Sequence, residues 1–192
     1  MYDMLFAMAT KQTILSVTPA GLLAKLPKYN FAFLAAFAVY IIIFDGGNVL
    51  TREAIYHRWM FVAVLLIVFS LFWMATKKAT SRNLIIGALL LCVLAELALA
   101  GFTTYWERGM ASMSTVLYIV PIASMALSRS RTYTVGTALL ASAAYTFAST
   151  KYFYDRFNEG YRVQLYGEIF FYSVVFLVVG WIIAMIAHES KK

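Results

Sequence analysis

Long apolar stretches separated by short polar segments dominate the pattern of the chain. Such stretches are typical of helices that cross a bilayer, whose hydrocarbon core needs roughly 20 helical residues. We assign six spans, of which the first and fourth are short: 31–44, 59–75, 83–101, 113–127, 133–149 and 167–187. The sequence shows no series of alternating segments like those of a transmembrane barrel. Since backbone polar groups must be satisfied within lipid, the pattern predicts an all-α, polytopic membrane protein with six transmembrane helices.

A different pattern precedes the first span. Apolar residues between Met4 and Leu15 recur near helical spacing, and Thr18–Pro19 is typical of a helix start. No basic stretch precedes these apolar residues and no small-residue cleavage site follows, so a removed signal peptide is not predicted. We therefore divide the chain into an N-terminal interfacial amphipathic segment, 1–30, and a six-helix transmembrane domain, 31–192.

Composition agrees with this division. Of the 192 residues, 62% are hydrophobic and 13% are charged, and the mean hydropathy is +0.77. Ordinary soluble domains carry about 25% charged residues, so a soluble protein is excluded as an interpretation. We expect the chain to lie in the cell (cytoplasmic) membrane as a multi-pass protein, with the lipid bilayer as its first partner.

Basic residues indicate the orientation, because lysine and arginine accumulate in cytoplasmic loops. They gather in alternate segments of the chain: Lys11, Lys25, Lys28, Lys77, Lys78, Arg82, Arg129, Arg131, Lys191 and Lys192. The intervening loops carry both signs of charge. The alternation predicts that both termini are cytoplasmic. The net charge of +7 is then mainly a topology signal, and no nucleic-acid partner is expected.

The stretch LLLCVLAELALAG, residues 89–101, places the carboxylate of Glu96 inside the third span. If this span runs outward, Glu96 lies about five residues from its outer end, roughly 8 Å deep. A charged carboxylate at that depth costs a few kcal/mol and must face protein or water. The small residues Ala88, Cys92 and Ala100 share its helix row, which predicts that Glu96 points into the bundle.

Other polar residues could support Glu96 or share a pocket with it. Ser142 and Tyr145 lie on a small, polar face of the fifth span, and either hydroxyl could donate to the carboxylate. Ionisable residues at a similar depth, or slightly above it, lie at the outer ends of other spans: Asp45, Arg58, Arg162 and Glu168.

Two hypotheses remain open for this polar layer. Glu96 pairs with an arginine or a tyrosine and only fixes the helix register, or the polar residues line an outward-facing cavity. Such a cavity would bind a small ligand that is cationic or forms hydrogen bonds. A proton or ion pathway is less favoured, because no second ionisable group lies deeper in the predicted membrane.

The sequence lacks the motifs of common catalytic sites. His57 and His188 fall on opposite sides of the predicted membrane, and Cys92 has no histidine in its own half. No lysine lies deep within a span, which excludes a retinal-type Schiff base. The GxSxG motif and phosphate-binding glycine loops are missing as well. We expect no enzymatic activity, no metal site and no cofactor.

The layout resembles the membrane input regions of bacterial sensor kinases and membrane-bound cyclases. The resemblance rests on residues 56–59, on the mixed-charge outer layer, and on the last helix, which exits as IAMIAHESKK at 183–192. It implies that the chain recognises a small ligand in an outward cavity and signals through its last helix, which continues toward a cytoplasmic signalling helix near His188. It also implies a homodimer or a separate signalling partner in the cytoplasm or membrane.

Two other classes fit the same layout. The size of the chain and its six predicted spans are similar to those of the substrate-binding membrane components of energy-coupling-factor vitamin transporters. Ala32 and Ala36 in the first span resemble the small-residue docking motif of those components. An accessory subunit of a larger membrane complex is the third class. An input region should dimerise through its last span, a transport component should hold ligand as a monomer, and an accessory subunit should be unstable alone.

Overall fold

The computed structural model describes residues 19–46, 52–78, 82–107, 113–156 and 162–189. Within these ranges the fold is all-α, as predicted. The helices, in chain order, are α1 Pro19–Gly46, α2 Arg52–Lys78, α3 Arg82–Trp106, α4 Ile119–Ala126, α5 Arg131–Arg156 and α6 Arg162–Glu189. A 3-10 helix, Met113–Tyr118, leads directly into α4.

The predicted interfacial segment lies largely outside the described residues, which begin at Pro19. The boundary predicted at residue 30 falls within α1. This helix continues on both sides of Pro27, although a proline removes one hydrogen bond from a helix interior. The part of the segment that is described is therefore continuous with the first span.

The prediction of six spans needs a correction. Among the described helices, four are long and apolar enough to cross a membrane: Lys25–Ile43, Ile55–Lys77, Asn83–Trp106 and Gln164–Ala187. The apolar stretch Ser114–Ala126 is too short by this criterion. Helix α5 has sufficient length, but its buried threonines and serines lower its hydropathy. The apolar pattern alone did not separate a helix that lipid covers from a helix that neighbouring helices cover.

Consecutive helices pack antiparallel. Phe31 in α1 meets Trp73 near the end of α2, with ring centroids 6.4 Å apart. Phe61 in the first half of α2 meets Phe102 near the end of α3, with centroids 4.7 Å apart. The resulting up-and-down arrangement is the topology that short connections favour in helix bundles.

A tight turn reverses the chain between α4 and α5. The backbone N–H of Ser128 donates to the carbonyl of Met125 at 3.0 Å, and that of Arg129 donates to Ala126 at 2.9 Å. Arg129 has a φ of 54°, in the left-handed region that often ends helices. The turn brings α4 and α5 side by side.

The core lies around α3 and α5. Helix α3 contacts α2, α4 and α5, while α5 contacts α3, α4 and α6. Helices α2 and α6 instead direct large apolar side chains outward, among them Ile67, Phe170, Trp181 and Ile186. Exposed apolar surface on this scale is unusual for a soluble monomer. Together with the long apolar helices, this exposed surface indicates a membrane protein with transmembrane helices.

One end of the bundle gathers charged side chains. Arg58 in the second turn of α2 pairs with Glu107, which directly follows α3. Tyr105 of α3 donates a hydrogen bond to Asp155 in the last turn of α5 at 2.7 Å. We call this the Glu107 end.

Candidate functional site

Glu96 lies inside the bundle, with 2% of its surface exposed. Cys92 and Ala100, one turn away on either side, are fully buried as well. The hydroxyl of Ser124, from α4, is within reach to interact with the carboxyl group. Neither carboxyl oxygen, however, accepts a hydrogen bond from the part of the chain that the structure describes. Glu96 is therefore a buried polar group without a well-formed partner.

The two hydroxyl residues that the sequence placed near Glu96 have other neighbours. Ser142 donates toward the carbonyl of Ala138 at 3.0 Å and toward that of Ser173, on α6, at 3.3 Å. Tyr145 is fully buried, and the hydroxyl of Ser149 is within reach of its own hydroxyl, but no well-formed hydrogen bond joins it to any described residue. The structure therefore does not join these hydroxyls to Glu96.

Tyr145 belongs to an aromatic cluster of four rings. Its ring centroid lies 5.7 Å from that of Tyr118, 5.2 Å from that of Tyr172 and 5.9 Å from that of Phe176. Edge-on aromatic pairs at such distances attract each other beyond their buried area. The cluster connects the 3-10 helix before α4 to α5 and α6.

Arg58 forms the centre of a second polar cluster. It is 3% exposed and forms a salt bridge with Glu107. Tyr40 of α1 donates its hydroxyl to the same carboxylate oxygen at 2.7 Å. Its ring lies 5.6 Å from the guanidinium carbon, within cation–π distance. These three residues constitute the Arg58 cluster.

The Arg58 guanidinium keeps unused hydrogen-bonding capacity. Its Nε and Nη1 groups are buried and donate to no partner within the described residues. A buried polar group in that condition costs free energy, and for a charged group the cost is larger. Nε and Nη1 are therefore the atoms to which a ligand with oxygen acceptors could bind.

Glu107 was not among the predicted site residues, because it follows the predicted third span in a loop of mixed charge. The residue continues the helical pattern of α3, since its backbone N–H donates to the carbonyl of Thr103 at 2.9 Å. A third span longer by six residues would include Glu107 and bring it to the same end of the bundle as Arg58. The predicted third span ends at Gly101, because apolar residues become less frequent after it.

The remaining residues of the predicted site are only partly described. The side chains of Asp45 and Arg162 lie outside the described part of the structure. Glu168 is half-buried on α6 and accepts a hydrogen bond from Gln164 at 3.5 Å. It is close enough to Tyr145 for an electrostatic interaction. Of the predicted residues, Glu168 and Tyr145 are thus near each other.

A cavity of about 240 Å³ adjoins the Arg58 cluster. It is lined by Phe33, Ala36, Phe37, Tyr40, Thr103, Ser114, Val116 and Leu117. Tyr40 belongs to both the cavity wall and the Arg58 cluster. Typical pockets for drug-sized ligands measure roughly 300 to 1,000 Å³, so this cavity suits a smaller molecule.

A second hydrogen-bonded group lies at the same end of the bundle, beyond the predicted span 133–149. Asp155 accepts from Tyr105 at 2.7 Å and from Lys151 at 3.0 Å. The Tyr105 hydrogen bond, followed by that of Lys151, holds the pKa of the Asp155 carboxyl below its ordinary value. Lys151 and Asp155 are exposed, and Tyr105 is half-buried.

No group of three or more metal-ligating side chains comes together among the residues that the structure describes. Comparisons with protein-family models, with curated proteins and with solved structures give no match.

Proposed function

We propose that the chain is a membrane sensor module that recognises a small ligand at the Glu107 end and signals through α6. One observation carries the proposal: two nitrogens of the buried Arg58 guanidinium, Nε and Nη1, donate to no partner among the described residues, and a cavity adjoins the Arg58 cluster at Tyr40. Binding sites in proteins combine an apolar wall with a few polar groups of this kind. The Arg58 cluster replaces Glu96 as the centre of the proposed site.

The chemistry of Arg58 limits the ligand to a molecule with oxygen acceptors. A guanidinium binds carboxylate or phosphate oxygens through two parallel hydrogen bonds. Tyr40 lines the cavity, and its ring lies 5.6 Å from the guanidinium carbon of Arg58. We expect a ligand in the cavity to displace this ring in order to reach Nε and Nη1. The cationic ligand considered for Glu96 fits this environment less well, because Nε and Nη1 of Arg58 are hydrogen-bond donors on a cation.

Helix α6 is coupled to the rest of the bundle by close contacts. A Cβ atom added at Gly180 would lie only 2.5 Å from the Cβ of Ala138, so the two helices touch there. Phe176 packs on Tyr118, and Tyr172 packs on Phe176. Tyr118 directly follows the cavity residue Leu117. A shift of the 3-10 helix on ligand binding would therefore move α6.

The proposed orientation places both termini in the cytoplasm and the Glu107 end outside the cell membrane. Four or six crossings would both satisfy it, because both numbers are even. Lys25 and Lys77 lie at the opposite end from Glu107, where a positive-inside bias is expected. The outward apolar face of α6 is the surface through which a homodimer, or a signalling partner, would form.

The test is ligand-dependent thermal stability of the protein purified in detergent. A panel of small carboxylates, phosphates, amino acids and amines is screened for compounds that raise the melting temperature by mass action. Tyr40→Phe, which removes only the hydroxyl, and Ala36→Phe, which fills the cavity, should reduce the shift. Ser70→Ala is the matched control, since the Ser70 hydroxyl only bonds to Leu66 within α2.

The signalling step has its own readout. In a Cys92→Ala background, Ile186→Cys places one reactive thiol on the exposed face of α6. A sensor should form a disulfide-linked dimer there at a rate that the bound ligand changes. A monomer that moves the ligand into vesicles would identify a transport component, and a protein that stays folded only with other subunits would identify an accessory subunit. Either result would overturn the sensor proposal.

A further inference from the structure

A larger cavity, of about 590 Å³, is a groove between α3 and α5. Small residues line the groove on both helices, including Ala98 and Gly101 on α3 and Ala143 and Ala144 on α5. Small residues leave a groove open because no side chain fills the space between the two helices. The groove lies on the outside of the bundle and its lining is almost wholly apolar.

Large exposed rings border the groove. Phe102 projects from α3 and Phe147 from α5, and both are well exposed. The volume lies within the range of small-molecule sites, roughly 300 to 1,000 Å³. The shape and apolar lining suit a hydrocarbon chain that lies between the two helices.

One end of the groove is polar and carries positive charge. Tyr105 and Lys151 line it there, and both bond to Asp155. Arg156 lies within electrostatic reach of the same carboxylate. Two cations and one carboxylate leave a local charge of +1. Lys151 has three N–H donors, of which Asp155 accepts one, so further acceptors could bind.

We propose that the groove binds a phospholipid of the surrounding bilayer with an anionic headgroup. Its acyl chain lies between α3 and α5, and its phosphate oxygens accept hydrogen bonds from Lys151. The polar end of the groove coincides with the Glu107 end, where headgroups would meet the bundle. A partner helix fits less well, because it would bury the Lys151–Asp155 pair without replacing its hydration.

The experiment is native mass spectrometry of the whole chain, released from nanodiscs that contain equal amounts of phosphatidylglycerol and phosphatidylcholine. The parent protein should retain one phosphatidylglycerol in preference to phosphatidylcholine. Lys151→Gln should weaken that retention about fivefold, the effect expected of one lysine at an anionic surface. Lys77→Gln is the matched control, since Lys77 lies over the Trp73 ring away from the groove.

Two variants fill the groove itself. Ala98→Phe and Ala143→Phe act from opposite walls, and both positions are exposed, so the added rings need not disturb the core. Each should reduce retention of both lipids, while the protein elutes as the parent does.

Three outcomes would overturn the proposal. An equal loss in Lys77→Gln and Lys151→Gln would show general attraction to a basic surface. Full phosphatidylglycerol retention in both groove-filling variants would place the lipid elsewhere. If Ala98→Phe splits an oligomer into monomers and leaves lipid retention unchanged, the groove is a protein interface.

Discussion

The carboxyl group of Glu96 is buried, and neither of its oxygens accepts a hydrogen bond from the described residues. An unsatisfied buried polar group costs about 1 to 3 kcal/mol. We expect Glu96→Leu, which has a similar volume and no polar atoms, to raise the free energy of unfolding by about that amount. Equilibrium unfolding in mixed detergent micelles measures the change.

Leu89→Gln provides the reverse substitution at a fully buried position of the same helix, and it should lower stability. If Glu96→Leu also lowers stability, Glu96 has a polar partner in the native protein. The hypothesis of a binding function at Glu96 would then regain its place beside the Arg58 cluster.

Arg58 and Glu107 form a buried ion pair with a different expected response. Removal of one partner of a buried pair leaves the other without its counter-charge, which costs about 3 to 5 kcal/mol, whereas replacing both by apolar residues is often neutral. We therefore expect Arg58→Met to destabilise the protein strongly and the double variant Arg58→Met with Glu107→Leu to recover most of the loss. Thermal unfolding of the four proteins of this cycle provides the measurement.

The exposed pair of Lys151 and Asp155 serves as the comparison for that cycle. Its members are largely accessible to water, so Lys151→Gln should change the melting temperature little. A small effect of Arg58→Met would mean that water reaches the guanidinium, and the proposed ligand site would lose its central observation.

At the scale of the helices, the contact between α5 and α6 depends on one glycine. A Cβ atom at Gly180 would overlap Ala138, whereas a Cβ atom at Gly167, on the same helix, meets nothing within 4 Å. Alanine has a higher helix propensity than glycine by about 1 kcal/mol, which favours both replacements before packing is considered. We expect Gly167→Ala to raise the melting temperature and Gly180→Ala to lower it.

A second substitution distinguishes packing from propensity. Ala138→Gly removes the methyl group that faces Gly180, so the pair Gly180→Ala with Ala138→Gly should recover stability relative to Gly180→Ala alone. The same variants examine signalling, since a loosened α6 should weaken the ligand dependence of Ile186→Cys cross-linking. Equal effects of Gly167→Ala and Gly180→Ala would contradict the close contact.

The hydrophobic pattern predicted the helices well and their environments less well. Each predicted span corresponds to a helical segment, because apolar runs of this length have few alternatives in lipid. The helices extend beyond the spans, since polar residues such as Arg52 and Arg156 continue a helix outside the apolar region. The sequence did not predict whether lipid or neighbouring helices cover α5, because hydropathy does not indicate which neighbours cover a helix.

The candidate site was predicted in part. A carboxylate among small residues in one helix row is a local pattern, and Glu96 is indeed buried. Arg58 was recognised as a rim charge, but its partner Glu107 and the ring of Tyr40 come from other helices. Contacts between helices depend on tilt and rotation, which a single sequence leaves open.

At the scale of the whole molecule, the central position of α5 decides how the chain crosses the bilayer. Helix α5 runs for 26 residues, a length of about 39 Å at 1.5 Å per residue, which exceeds the hydrocarbon thickness. Its buried threonines and serines face α3, α4 and α6 rather than lipid, and its exposed side includes Leu139, Leu140 and Phe147. Since neighbouring helices shield its polar residues, we expect α5 to cross the bilayer although its hydropathy does not identify it as a span.

If α5 crosses the bilayer, its two ends reach opposite sides of the membrane. In a Cys92→Ala background, Tyr154→Cys and Arg131→Cys place single thiols at opposite ends of the helix, both at exposed positions. With α5 crossing the membrane, a membrane-impermeant maleimide added to intact cells should label Tyr154→Cys, and should label Arg131→Cys only after permeabilisation. Tyr56→Cys, exposed at the start of α2, is the control for the outer side. Labelling of both α5 positions in intact cells would show that α5 stays on the outer side and that the chain crosses the membrane four times. Labelling of neither position, with Tyr56→Cys labelled, would contradict the outward position of the Tyr154 end.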